Sequence, residues 1–284
     1  MAALTIEAHA GLTPAQHEAV IALKGECEAA QSIDLKLELA EADPAAQVNT
    51  FLAYEGAQLL GYCGIDAGGE AEVCGMVHPG HRRARIGTGL LEAAVEAAAA
   101  GRRASMLVIC EDAAPIAGDW MRRRGATLSH SEHRMLLALP RSAPPPDPAV
   151  TLRRVDAGDR QAVARILSQG FAEAASAIED RLARSAPSSG HETLVAYADA
   201  TLIGTAGLVH SPTRSMIYGF VVDGALRGRG YGGTMLRATL ERLRARGVNE
   251  VGVEVDPDNI AAVRLYTRFG FRVVTTYRYM RLST

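Results

Sequence analysis

Two stretches of this chain align at one constant offset. Arg82-Arg83-Ala84-Arg85-Ile86-Gly87 lies 145 positions before Arg227-Gly228-Arg229-Gly230-Tyr231-Gly232 (227 − 82 = 145), and Gly125 lies as far before Gly270 (270 − 125 = 145). The same step pairs Val77 with Val222, Leu91 with Leu236, Glu96 with Glu241, Val108 with Val253, Ala117 with Ala262 and Met135 with Met280. An insertion between these points would have destroyed the register, so the chain reads as two copies of one architecture. With 284 residues, each copy is long enough to bury a core. The segment Ala143-Pro144-Pro145-Pro146-Asp147-Pro148 lacks backbone donors and favours an extended, semi-rigid conformation. The expected division is a first domain over 1–140, a linker over 141–149 and a second domain over 150–284.

In the second copy the patterning predicts a strand over Thr151 to Val155 and helices over Gly158 to Gly170 and Ala172 to Arg184. Strands over Thr193 to Tyr197, Leu202 to His210 and Met216 to Val222 follow, separated by Ala198-Asp199-Ala200 and Ser211-Pro212-Thr213 as in antiparallel hairpins. Then come a glycine-rich turn, a helix over Gly233 to Arg246, a strand over Val251 to Val255, a helix over Asn259 to Phe269, and one or two strands over Arg272 to Leu282. The first copy repeats this order, with strands over Thr50 to Tyr54, Leu59 to Ile65, Ala71 to Val77, Ser105 to Cys110 and Thr127 to Leu139, and helices over Thr88 to Ala100 and Pro115 to Arg124.

Thirty basic residues against thirty-two acidic ones give a net charge of −2, which supplies no uniform field for a nucleic-acid backbone. No uncharged run approaches the length of a bilayer span, and Met1-Ala2-Ala3-Leu4 lacks the pattern of a secretory signal, so a cytoplasmic protein is expected. Cys27, Cys63, Cys74 and Cys110 show no metal-ligand or redox spacing; neither metal nor disulfide is expected, and the last three read as small buried hydrophobes.

The turn Arg227-Gly228-Arg229-Gly230-Tyr231-Gly232 runs from a strand directly into a helix, whose first amides have no helical acceptor. The helix dipole favours an anion there, three glycines let the backbone approach it closely, and two arginines add charge, so a phosphate ester or pyrophosphate is the natural guest. It is not a Walker loop, having no Gly-Lys-Ser/Thr, nor a dinucleotide fingerprint, since a meander precedes it. Further on, Asn259 and Tyr266 stand seven residues apart, two turns on one helix face, and that face can line a site.

Together, the Arg-x-x-Gly-x-Gly loop at 227–232 and the Asn-x-x-Ala-x-x-Leu-Tyr-x-x-x-Gly-Phe run at 259–271 resemble the GNAT superfamily of acyl-CoA-dependent N-acyltransferases. The resemblance implies an α/β (α+β) fold: two tandem GNAT-like domains, each a mixed, mostly antiparallel sheet flanked by helices, with a V-shaped splay between strands four and five. It implies acetyl-CoA as cosubstrate, held through Phe220, Val221, Val222, Arg227, Gly228, Arg229, Gly230, Tyr231, Gly232, Gly233, Thr234, Asn259 and Ala262, with Tyr266 as the general acid. Many relatives carry a glutamate on the fourth strand; Met216, Ile217, Tyr218 and Gly219 occupy that stretch here, and Glu254, His210, Glu173 and Glu179 remain open as general base. Among tandem members the chain looks like the mycothiol synthase group, which acetylates a cysteine-derived pseudodisaccharide; that acceptor is one option beside an aminoglycoside, polyamine or amino acid. The expected function is acetyl transfer to a primary amine of a small molecule. A non-catalytic coenzyme sensor and a protein N-acetyltransferase are the alternatives.

In the first copy Met121 stands in the tyrosine's place, Ala114 in the asparagine's and Arg85 in that of Gly230. A thioether cannot donate the proton, so this copy is expected to be catalytically silent.

Overall fold

The computed structural model describes residues 3–37, 39, 47–66, 70–139, 150–171, 173–184, 190–210 and 214–284. The proline-rich linker and the turn at 211–213 lie outside the described residues. The chain forms two compact units: Met1–His133 with Thr275–Thr284, and Arg134–Val274.

Unit 1 begins with β1 (Leu4–His9) and the long helix α1 (Pro14–Gln31), elements upstream of anything the patterning predicts. α1 is started by Thr13, whose side chain accepts from the Gln16 amide while Gln16 reaches back to Thr13, with Pro14 in the first turn. β2 (Thr50–Glu55), β3 (Gln58–Asp66) and β4 (Glu72–Val77) form an antiparallel meander with β1. α2 (Ile86–Ala100), β5 (Ser105–Glu111), α3 (Pro115–Arg122) and β6 (Thr127–Ala138) follow, as the repeat predicts. All four cysteines are buried.

Unit 2 contains β7 (Thr151–Arg154), α4 (Arg160–Ser168), α5 (Ala175–Arg184), β8 (His191–Ala198), β9 (Thr201–His210), β10 (Ser215–Val222), α6 (Tyr231–Ala245), β11 (Glu250–Val255), α7 (Ile260–Arg268) and the start of β12 (Arg272–Ser283). The registered strand pairs are antiparallel except where β4 meets β5 and β10 meets β11.

The last strand of each copy changes partners. In unit 1 the strand beyond β5 is β12, registered from Tyr277 opposite Glu111 to Ser283 opposite Ser105. In unit 2 the strand beyond β11 is β6, and the Leu139 amide donates to the Asn249 carbonyl at 2.7 Å. Met135 and Leu139 accordingly lie in the core that Leu236, Leu240, Val253 and Tyr266 form, while Met280 and Leu282 lie in the core of unit 1. Residues 150–284 expressed alone would lack the strand that covers β11 and fills this core. That fragment should therefore show no cooperative melt, and coexpression with residues 1–149 should restore one; a lone fragment that melts cooperatively would contradict the exchange.

Glu192, buried on β8, ties β7 and α6 to the sheet. Its carboxylate accepts from Arg154 at 2.9 Å and from Arg242 at 3.0 and 3.3 Å, is also paired with Arg246, and lies 3.3 Å from His210 Nε2. Burial alone would push its carboxyl up; the arginines and His210 together outweigh that and hold it down to about 2. Since this lies below the unfolded value of about 4.3, the stabilisation is complete above that pH and is lost as pH falls toward the folded value. Glu192→Gln should lower stability at pH 7 by about 3 kcal/mol, with the half-exposed arginines keeping the loss at the low end for a buried pair. The gap to wild type should narrow between about pH 4.3 and 2, as followed by thermal melting across pH.

Candidate active site

β10 and β11 run side by side only through Ser215–Val251, Met216–Gly252 and Ile217–Val253. Beyond that point β10 bulges: its register with β9 shifts between Tyr218 and Val221, and Gly219 takes φ +52°, a left-handed conformation that favours glycine. The two strands then part, and β10 resumes pairing with β9 through Val221–Thr205 and Val222–Gly204. This is the V-shaped opening that the resemblance implies. β4 and β5 of unit 1 likewise pair only at Glu72–Leu107 and Val73–Val108.

Where β10 ends, Asp223 caps a short 3-10 turn at Gly224–Leu226 by accepting from the Ala225 amide at 3.0 Å. α4 holds this turn from outside, through Arg165 to Asp223 at 2.7 Å and Gln169 to the Gly224 amide at 2.8 Å. Arg227 folds back so that its Nε donates to the Val222 carbonyl at 3.1 Å, which gives part of its cation a structural task. Gly228 (φ +77°) and Gly230 (φ +86°) then reverse the chain into α6, which no side chain caps. Arg229 and Gly230 are exposed, and Tyr231, Gly232, Gly233 and Thr234 form the first turn beside the opening. The Gly233 and Thr234 amides donate to the Gly230 carbonyl at 3.0 and 3.3 Å, and the uncapped helix start carries a positive dipole end that favours an anion.

Unit 1 carries the same backbone at the same offset: a 3-10 turn at Pro79–His81, Arg82 Nε donating to the Val77 carbonyl at 3.2 Å, and left-handed residues at 83 and 85. Those residues are arginines, at φ +68° and +65°, in places that glycines fill in unit 2. Each such conformation costs about 1–2 kcal/mol without a glycine.

Asn259 caps α7, its side chain accepting from the Ala262 amide at 3.2 Å, so these two residues serve the helix directly. Two turns on, Tyr266 is only 5% exposed and packs between Phe220 and Phe271, with ring centroids at 6.3 and 5.5 Å. Among the described residues its hydroxyl has no hydrogen-bond partner. Burial pushes the phenol up to about 12, and it keeps its proton at neutral pH.

The four carboxylate and imidazole candidates separate. His210 pairs with Ser215 at the closed end of β10, away from the opening, and serves Glu192. Glu173 is bonded to Arg181 at 2.5 and 3.0 Å beside α5, and Glu179 lies on that helix. Glu254 alone stands on a strand of the opening. Met216 and Gly252 share a face, since a Cβ on Gly252 would strike the Met216 sulfur, and Tyr218 and Glu254 continue that face one step past the last paired residues. The Tyr218 ring lies flat on Gly207, where any side chain would collide with it, and is 44% exposed. Tyr218 had no motif to mark it; its signal is its place on the strand next to Gly219. Among the described residues no group of three or more metal-ligand side chains gathers, and no helix is long and apolar enough to cross a membrane.

Residues 160–271 match the family described as "Acetyltransferase (GNAT) family", and residues 46–125 match "Acetyltransferase (GNAT) domain". A mycothiol acetyltransferase from Thermomonospora curvata is 32% identical over 279 residues, covering 92% of each chain. Another, from Sanguibacter keddieii, is 30% identical over 294 residues, covering 93% of this chain and 92% of its own. In fold, the chain is similar to a GCN5-related N-acetyltransferase from Sphaerobacter thermophilus (TM-score 0.73, 21% identity, 98% and 95% of the two chains). It is likewise similar to a tandem GNAT protein from the clavulanic acid biosynthesis pathway (TM-score 0.70, 19% identity, 99% and 98%). GNAT acetyltransferases use acetyl-CoA. The chain belongs to the GNAT acetyltransferase family, as a tandem member and an acyltransferase.

Proposed function

We propose that unit 2 transfers the acetyl group of acetyl-CoA to a primary amine of a small molecule. The observation that carries this reading is a buried, proton-bearing phenol packed against Phe220, just past the point where β10 and β11 part, in the same unit as a helix start that no side chain caps. The amides around residues 229–234 would hold the coenzyme diphosphate, and the backbone of Phe220 to Val222, unpaired on its β11 side, would pair with the pantetheine arm and donate to the thioester carbonyl.

As the amine attacks, an N–C bond forms and the carbonyl oxygen becomes an oxyanion, which those amides stabilise. Collapse breaks the C–S bond, and Tyr266 gives its proton to the departing thiolate. Glu254, facing the opening beside Tyr218, takes the amine proton through water. The relatives bear the name mycothiol acetyltransferase, which makes a mycothiol-type amine the first acceptor to test.

Unit 1 lacks both proton-handling groups. Met121, buried, stands at the Tyr266 position and Ile109 at the Glu254 position (109 + 145 = 254). Its role is structural: it receives β12.

Tyr266→Phe should lower kcat about 10²- to 10⁴-fold, as loss of a positioned proton donor does, with acetyl-CoA affinity unchanged by calorimetry. An unchanged kcat would remove Tyr266 from the chemistry. Gly230→Arg copies Arg85 of the first copy, so the fold should survive at a cost of about 1–2 kcal/mol. The new side chain would stand where the diphosphate meets the backbone, and acetyl-CoA should bind at least about tenfold more weakly, some 1.4 kcal/mol; undiminished binding would move the coenzyme away from this turn.

A further inference from the structure

Arg134 belongs to the first copy of the repeat in sequence and to unit 2 in space. It stands on β6, the strand beyond β11, and its Nε and Nη2 donate to Glu254 Oε1 at 3.2 and 2.6 Å. The side chains are 13% and 20% exposed. A carboxylate this enclosed is costly without a counter-charge, and two donors from one rigid guanidinium fix its torsions as well as its charge.

The repeat supplies an internal comparison. One step along the offset, Glu254 corresponds to Ile109 and Arg134 to Tyr279 (134 + 145 = 279), and in unit 1 Tyr279 and Ile109 are registered neighbours on β12 and β5. The same two positions thus meet in both units. They carry an ion pair in the unit that has Tyr266 and no ion pair in the unit that has Met121. A pair that served packing alone would have no reason to track the phenol.

On the function proposed above, we infer that Arg134 is a positioning residue for acetyl transfer: it holds Glu254 against the opening so that the carboxylate accepts the proton of the attacking amine. The amine nitrogen gains its bond to the acetyl carbon and loses one proton to Glu254 through a water; the sulfur leaves with the electron pair of the C–S bond and gains one proton from Tyr266. Glu254 then returns its proton to solvent and Tyr266 recovers one from solvent, so no further reactant is needed. The first copy, without chemistry of its own, thereby supplies a residue to the second copy's site.

The test uses the full chain as wild type, Arg134→Met, Arg134→Lys, Glu254→Gln, Tyr266→Phe and the Arg134→Met/Glu254→Gln double variant, each first checked for a cooperative melt. Thiol release from acetyl-CoA is followed with glucosamine and with spermidine. Arg134→Met should lower kcat about a hundredfold, as misplacement of a reacting group by an ångström does, with the KM for acetyl-CoA nearly unchanged. Arg134→Lys should regain part of the loss, and adding Glu254→Gln to Arg134→Met should cost little more, because the two act as one unit. If Arg134→Met keeps the wild-type kcat while Tyr266→Phe is slow, the positioning role is wrong and the site reading stands; if both keep it, the site reading falls and this inference with it. Should neither amine turn over, crystal structures decide: Glu254 displaced in Arg134→Met relative to wild type supports the inference, and Glu254 unmoved overturns it.

Discussion

After Ile217 and Val253 the two central strands of unit 2 have no partner in each other. The parting coincides with an irregularity in β10, where its register with β9 shifts and Gly219 takes a left-handed conformation. The proposed site is arranged around that separation. The turn into α6 lies at the open end of β10, the Tyr266 ring on α7 packs against Phe220 just past the parting, and Glu254 stands on β11 one residue past the last pair. An extended ligand with amide groups, such as the pantetheine arm, can complete the broken ladder in the manner of an added strand.

The repeat shows which parts of this arrangement both copies share. Unit 1 keeps the parting of strands, the 3-10 turn, the arginine bonded back to the strand and the two left-handed residues, even though arginines occupy them. That backbone is therefore a property of the architecture. On the proposed function the chemistry depends on a few positions, Tyr266 against Met121, Glu254 against Ile109 and Gly230 against Arg85, and the two copies differ at all three.

Much of this was legible in the sequence because it is encoded locally. The constant offset, the glycine turn and the seven-residue step from Asn259 to Tyr266 are short-range patterns, and the predicted strands and helices of both copies follow them. β1 and α1 escaped because their patterns are weak: all but the last residue of β1 are exposed, and α1 buries only Val20, Leu23 and Cys27 along its eighteen residues. The exchange of β6 and β12 could not be read at all. Either assignment of a last strand satisfies the same hydrophobic pattern, since Met135 and Met280 are interchangeable at the offset. Arg134 was hidden for that reason, and choosing among Glu254, His210, Glu173 and Glu179 needed the strand register that sets only the first at the opening.

Hydrogen–deuterium exchange of the full chain, with and without acetyl-CoA, tests the central claim directly. If the coenzyme completes the broken ladder of unit 2, exchange should slow at residues 219–222 and 229–234 and stay unchanged at 82–88. No slowing in unit 2, or slowing confined to 82–88, would contradict the account.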